Sequence, residues 1–154
     1  MRPTKIRGQG QRGVMLLEVL LAILIFSMGI LAVVGMQATA IKSVTDSKYR
    51  SDAAFLTNKL LSQMWTDAGG IALYAYPGSG TVPAKLQNWI TNAAKTGVND
   101  LLPDAASTPP IVTVTGATAS GAQVTIQVFW RMPEEKSKGL PPHNYTVTAS
   151  VYTS

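Results

Sequence analysis

The sequence predicts an α+β fold, a long N-terminal helix packed on a small antiparallel β-sheet of about three strands. Val19 to Ile41 holds no charged residue and leads without proline into an amphipathic stretch where Leu56, Leu60 and Met64 recur every four residues, the repeat of one helix face. Val124, Ile126, Val128 and Trp130 alternate with Gln123, Thr125, Gln127 and Arg131, as Tyr145, Val147, Ala149 and Val151 alternate with Thr146, Thr148 and Ser150. That two-residue period belongs to half-buried strands. Packing the sheet on the amphipathic half of the helix is the simplest way to cover both apolar faces.

Met1 to Gly13 carries Arg2, Lys5, Arg7 and Arg12, three glycines and no acidic residue, the composition of a short, basic, flexible leader. Val14 to Ile41 then reads as a membrane span interrupted by a single charge, Glu18. As a helix, Val19 to Ile41 extends about 34 Å, enough for a hydrocarbon core of about 30 Å. Its apolar residues lie all round the helix, as in a segment surrounded by lipid or by other helices. A carboxylate in such a segment costs about 2.5–3.5 kcal/mol at the bilayer centre and less near one end, so a partner charge is expected. A cut after Gly13 would create an amino group at Val14, one helical turn before Glu18. Gly29 and Gly35 each lower helix stability by about 1 kcal/mol relative to Ala. They read as small-residue packing positions or as soft points where the helix can locally extend. Lys42, Lys48, Arg50 and Lys59 balance the leader's four basic residues, so charge bias alone leaves the orientation of the span open.

Beyond Ile41 nothing breaks the helix. Leu61 and Trp65 lie beside the Leu56, Leu60 and Met64 row, and Asp46, Lys48, Arg50, Asp52 and Lys59 supply a polar face. Gly69 and Gly70 form the stop signal, which predicts one helix from Val14 to about Ala68, roughly 80 Å long. Ile71 to Pro83 reads as a loop. Leu86, Trp89, Ile90 and Ala93 predict a short second helix after Pro83, ending by Gly97. Asn99 to Pro110, with three prolines, is a connector. Ile111 to Thr115 is a first strand, Gly116 to Gly121 a turn, and Met132 to Pro142 joins the second strand to the third. Within that last connection, Glu134, Glu135, Lys136, Ser137 and Lys138 read as a solvated hairpin loop.

Composition narrows the function. The chain has 154 residues, 13 Lys and Arg against 8 Asp and Glu, and no cysteine. Without the leader, nine positive charges face eight negative ones, and no basic cluster with interleaved aromatics remains; direct nucleic-acid binding is not expected. The absence of cysteine removes disulfides, thiolate catalysis and Cys-based zinc sites. His143 is the sole histidine, beside Pro141 and Pro142, and no paired-carboxylate or nucleophile-base spacing accompanies it. It reads as a surface or hydrogen-bonding residue, and neither catalysis, a metal nor a cofactor is expected. Trp65, Trp89 and Trp130 read as core or subunit-contact residues.

The segment RGVMLLEVLLAILIFSMGILAVVGMQ, Arg12 to Gln37, resembles the prepilins of type IV pili and type II secretion systems. Their signature is a basic leader ending in glycine, one apolar residue at the new N-terminus, and Glu as the fifth mature residue before a long apolar helix. Val14 stands where most members have Phe or Met. With NKLLSQMW and the pairing of VTIQVFWR with HNYTVTASVY, the resemblance is to PilV-type minor pilins, the type IV pilus modification proteins.

The resemblance implies a pilin-like fold with a leader over 1–13, a transmembrane and filament-core helix over 14–41, and a periplasmic globular domain over 42–154. It implies cleavage after Gly13 and N-methylation of Val14 by a prepilin peptidase. Glu18 would then neutralise the Val14 amine of an adjacent subunit. The implied partners are that peptidase, the major pilin, other minor pilins and the inner-membrane assembly platform. The chain would cross the inner membrane once, N-terminus cytoplasmic, before entering or priming a pilus. A minor pseudopilin of a type II secretion system is the alternative within the family. Outside it, Ala38-Thr39-Ala40 resembles a signal-peptidase site that would release a periplasmic binding module, and an uncleaved chain would be a membrane-anchored one. Against the signal peptide stand an apolar region longer than the usual 7–15 residues and Glu18 at its start.

Overall fold

The computed structural model describes residues 11–118 and 120–152; the predicted leader, except for its last residues, lies outside them. Helix α1 spans Gln11–Thr66. The chain divides into two compact units, the first ending at Thr45 and the second beginning at Asp46, and α1 contributes to both.

In the first unit every residue of α1 from Gly13 to Val44 is exposed. Large apolar side chains from Val14 to Val44 are between 48% and 75% exposed, so nothing within the unit covers them. The hydroxyls in this stretch are satisfied internally: Ser27 Oγ donates to the Ile23 carbonyl at 2.7 Å and Thr39 Oγ1 to that of Gly35 at 3.2 Å. Such bonds to the preceding turn remove a polar donor from an apolar surface. Among the described residues, this one helix is long and apolar enough to cross a membrane.

In the second unit Leu56, Leu60 and Met64 are fully buried on one face of α1, with Ala53 and Leu61 beside them. Thr57 is buried on the same side, and its hydroxyl bonds the carbonyls of Ala53 and Ala54, both at 3.0 Å. Trp65, by contrast, is 57% exposed. Leu61, one turn earlier on the same side of the helix, is buried, so coverage of that side stops before Trp65, next to the end of α1 at Thr66. The helix ends as Asp67 leaves helical geometry at φ −127°, ψ 41°.

The predicted loop after it is in part a 3₁₀ helix, Ala68–Tyr74. Ile71 and Tyr74 are three residues apart and both buried, and the tighter three-residue turn brings them to one side. Helix α2, Ala84–Ile90, buries Leu86, Trp89 and Ile90 as predicted, whereas Ala93 lies beyond its end and is exposed. Trp89 Nε1 donates to the Leu56 carbonyl at 2.8 Å, tying α2 to α1. A single helical turn, α3, Val98–Leu101, interrupts the predicted connector and buries Val98.

The sheet is antiparallel with order β1-β2-β3, comprising Ile111–Thr118, Gly121–Trp130 and His143–Tyr152. Val124, Ile126, Val128 and Trp130 point into the core with no exposed surface, as their alternation predicts. They join Leu56, Leu60, Met64, Leu86 and Trp89 in one apolar cluster, so the second unit has a core of its own. The last connection holds a short helix, α4, Pro133–Ser137, in place of a solvated loop. Glu135 within it is only 8% exposed. Its carboxylate accepts from the Met132 backbone N–H at 3.2 Å, which satisfies the start of its own helix.

Candidate functional site

Two sets of residues merit attention: the N-terminal positions singled out by the sequence, and the charged groups gathered in the second unit.

Gly13, Val14 and Glu18 occupy the first turns of α1 and all are exposed. Val14 and Glu18 are four residues apart on continuous helix, so their side chains share a face. No ion pair among the described residues includes Glu18. A methyl group added at Gly13, Gly29 or Gly35 would meet nothing within 4 Å. The absence of a side chain at these positions is therefore not required by packing inside the chain, and α1 continues through all three.

In the second unit Asp104 anchors a charge cluster. It takes a left-handed backbone, φ 60°, which directs its carboxylate toward the end of β2. Arg131 Nη2 reaches it at 2.7 Å and Arg131 Nε at 3.0 Å, and Lys136 of α4 binds its other oxygen. The Asp104 side chain is 7% exposed. The hydrogen bond from Lys136, then that from Arg131, hold its carboxyl well below the usual carboxylate range. Arg131 also donates its backbone N–H to the Pro103 carbonyl at 3.0 Å. The cluster thus fastens the proline-rich connector to β2 and α4. Sequence reading missed it because its members lie 27 and 32 residues apart; the only local signal was an Asp directly after a proline.

Asp67 forms a second cluster where α1 ends. Lys85 donates to its carboxylate, and the Tyr74 hydroxyl does so at 2.9 Å. The Lys85 bond, followed by the Tyr74 bond, lowers the Asp67 pKa, while burial and the same carboxylate raise that of Tyr74. On the polar face of α1, Lys48 and Asp52 pair at 3.0 Å. That contact raises the Lys48 pKa, as an i,i+4 ion pair does on an exposed helix.

His143 stands at the start of β3. Its Nε2 lies 3.0 and 3.1 Å from the two carboxylate oxygens of Glu135, and its Nδ1 lies 3.9 Å from Asp46. The ring stacks on Trp130 at 5.7 Å between centroids, 14° from parallel. The histidine therefore links β3 to α4 through Glu135, whereas Asp46 Oδ1 lies beyond hydrogen-bond distance and is buried without a hydrogen-bond partner among the described residues. Among the described residues no group of three or more His, Asp or Glu is placed to hold a metal ion. These clusters join distant parts of the chain, and their chemistry is that of internal bracing. No family model, curated protein or solved structure matches this chain.

Proposed function

We propose that this chain is a minor pilin of a type IV pilus, of the PilV kind, that works as a structural subunit and catalyses no reaction. In this reading a prepilin peptidase cuts after Gly13 and methylates the Val14 amine. The apolar helix first rests in the inner membrane, N-terminus cytoplasmic, and the assembly platform then draws it among the helices of the major pilin and other minor pilins.

The observation that carries the reading is the pairing of Glu18 with an uncovered apolar helix. Leaving one large apolar side chain in water forgoes roughly 1.5–3 kcal/mol, and more than a dozen such side chains are exposed between Val14 and Ile41. The second unit does not need them, because its core closes around α1 residues from Ala53 onward. The apolar segment therefore serves an external environment, and both lipid and a bundle of like helices supply one. Glu18 distinguishes the two. In lipid it is a cost, whereas beside a neighbour's new N-terminal amine it gains a partner, and breaking a buried pair typically costs about 3–5 kcal/mol.

The test is the N-terminus and intact mass of the protein extracted from its native membrane. A methylated chain beginning at Val14 supports the proposal; a chain beginning at Ile41, or an intact Met1, overturns it in favour of a secreted or simply anchored protein. Glu18→Ala should still be cleaved yet fail to enter the filament. Normal incorporation of that variant would remove Glu18 from the assembly role.

A further inference from the structure

The sheet has two edges, and they are built differently. On the β1 side Tyr76 pairs with Val112 through two hydrogen bonds of 2.8 Å. Farther along, the register shifts between Thr115 and Thr118, and Gly116 takes φ 63°. A covering segment and a local irregularity are devices that stop a sheet edge from pairing with another chain.

β3 has neither. Its ten residues pair with β2 in unbroken register, from Gly121↔Tyr152 to Trp130↔His143. It contains no proline and no Lys, Arg, Asp or Glu, and among the described residues no strand lies beyond it. A long, regular, uncharged edge is a template for a further strand. The core-side row is also incompletely covered there. Val124, Ile126 and Val128 of β2 have no exposed surface, whereas their partners Ala149, Val147 and Tyr145 on β3 are only partly buried.

We propose that β3 pairs antiparallel with β3 of a second copy of this chain, joining the two sheets across a two-fold axis. Of the edges a second copy can offer, β1 is blunted, which leaves β3 against β3. Apart from His143 at its start the strand carries no acidic or basic side chain, so no like charges meet across the pairing of the Tyr145 to Ser150 stretch with its mate. A two-fold axis normal to the sheet sets each row beside the same row of its mate. Thr146, Thr148 and Ser150 then lie hydroxyl beside hydroxyl, as Thr125 and Thr148 already do at 3.0 Å within the chain. The partly buried Tyr145, Val147 and Ala149 gain apolar neighbours on the other side. This pairing does not depend on the filament reading, since it requires only the sheet.

The cysteine-free sequence makes the test direct. Single cysteines replace Thr146, Thr148 or Ser150 in the full chain, purified in detergent, and are oxidised alone and in pairwise mixtures. Thr113→Cys is the control, because Thr113 stands in the same cross-strand row as Thr125 and Thr148 but on the blunted edge. One β3 position, or one mixture, should shift the chain from monomer to disulfide-linked dimer while the control stays monomeric. Light scattering of the unmodified chain should give twice the chain mass, and Thr146→Lys/Thr148→Lys, with unchanged circular dichroism, should return it to one. A monomeric unmodified chain, equal cross-linking at Thr113, or a dimer that survives the lysine variant would overturn the proposal.

Discussion

Replacing Leu60 by alanine tests whether the amphipathic half of α1 is part of the second unit's core. Leu60 has no exposed surface and shares one apolar cluster with Leu56, Met64, Leu86 and Trp130. The substitution removes three carbon atoms from a site closed on all sides. Transfer and cavity terms together place the loss within the 2–5 kcal/mol typical of such sites, about 3 kcal/mol. For a unit of this size each kcal/mol lowers the midpoint by about 4 °C, so thermal unfolding should shift down by about 12 °C. Phe55 lies on the same stretch of helix but is 59% exposed, so Phe55→Ala should change stability by no more than about 0.5 kcal/mol. The assay is thermal unfolding of the full chain in detergent, followed by near-ultraviolet circular dichroism. Trp89 and Trp130 sit in the core and report its loss. Equal destabilisation by the two variants, or a Leu60→Ala midpoint within 2–3 °C of the parent, would refute the packing assigned to this helix face.

Two further outcomes follow from the second unit. The Asp104 carboxyl is held below its ordinary value of 3.8, so the folded state favours the carboxylate. Its contribution is present above that pH and is lost as pH falls through the lower folded value. Asp104→Asn should therefore lower the unfolding midpoint at neutral pH, and the gap to the parent should narrow as acid is added below pH 3.8. A gap independent of pH would show that the carboxylate charge is not what braces the connector. Gly121 takes φ 139°, and a methyl group there would lie 2.3 Å from the Val151 carbonyl oxygen. Gly121→Ala should destabilise by about 1–3 kcal/mol, measured by urea unfolding; a neutral substitution would mean that the hairpin relaxes without strain.

The local patterns in the sequence determined α1, α2 and the three strands and much of their extent, but not the 3₁₀ helix, α3 or α4. An uncharged apolar run followed by a four-residue repeat is enough to specify a continuous helix with two kinds of surface, because both signals lie within neighbouring turns. Strict alternation in β2 likewise identified Val124, Ile126, Val128 and Trp130 as core, because a strand's side chains change face at every residue. The roles proposed for Gly13, Val14 and Glu18 rest on their spacing along one chain, to which the fold of the second unit adds nothing.

Tertiary structure decided the rest. Trp65 reads in sequence as a core or subunit-contact residue, and only the packing of the second unit leaves it outside the core. Glu135 sits in the most polar run of the chain, but His143, eight residues away, and the Met132 backbone N–H hold its carboxylate. Asp104 becomes a brace only when the fold carries Arg131 and Lys136 to it, across separations that no periodicity encodes. The difference between the two sheet edges is of the same kind. β3 and β1 are both β-rich segments in sequence, and what leaves one open is that Tyr76 folds back onto the other. Local periodicity specifies which face of an element is apolar, whereas which neighbour meets that face depends on contacts between residues far apart in the chain.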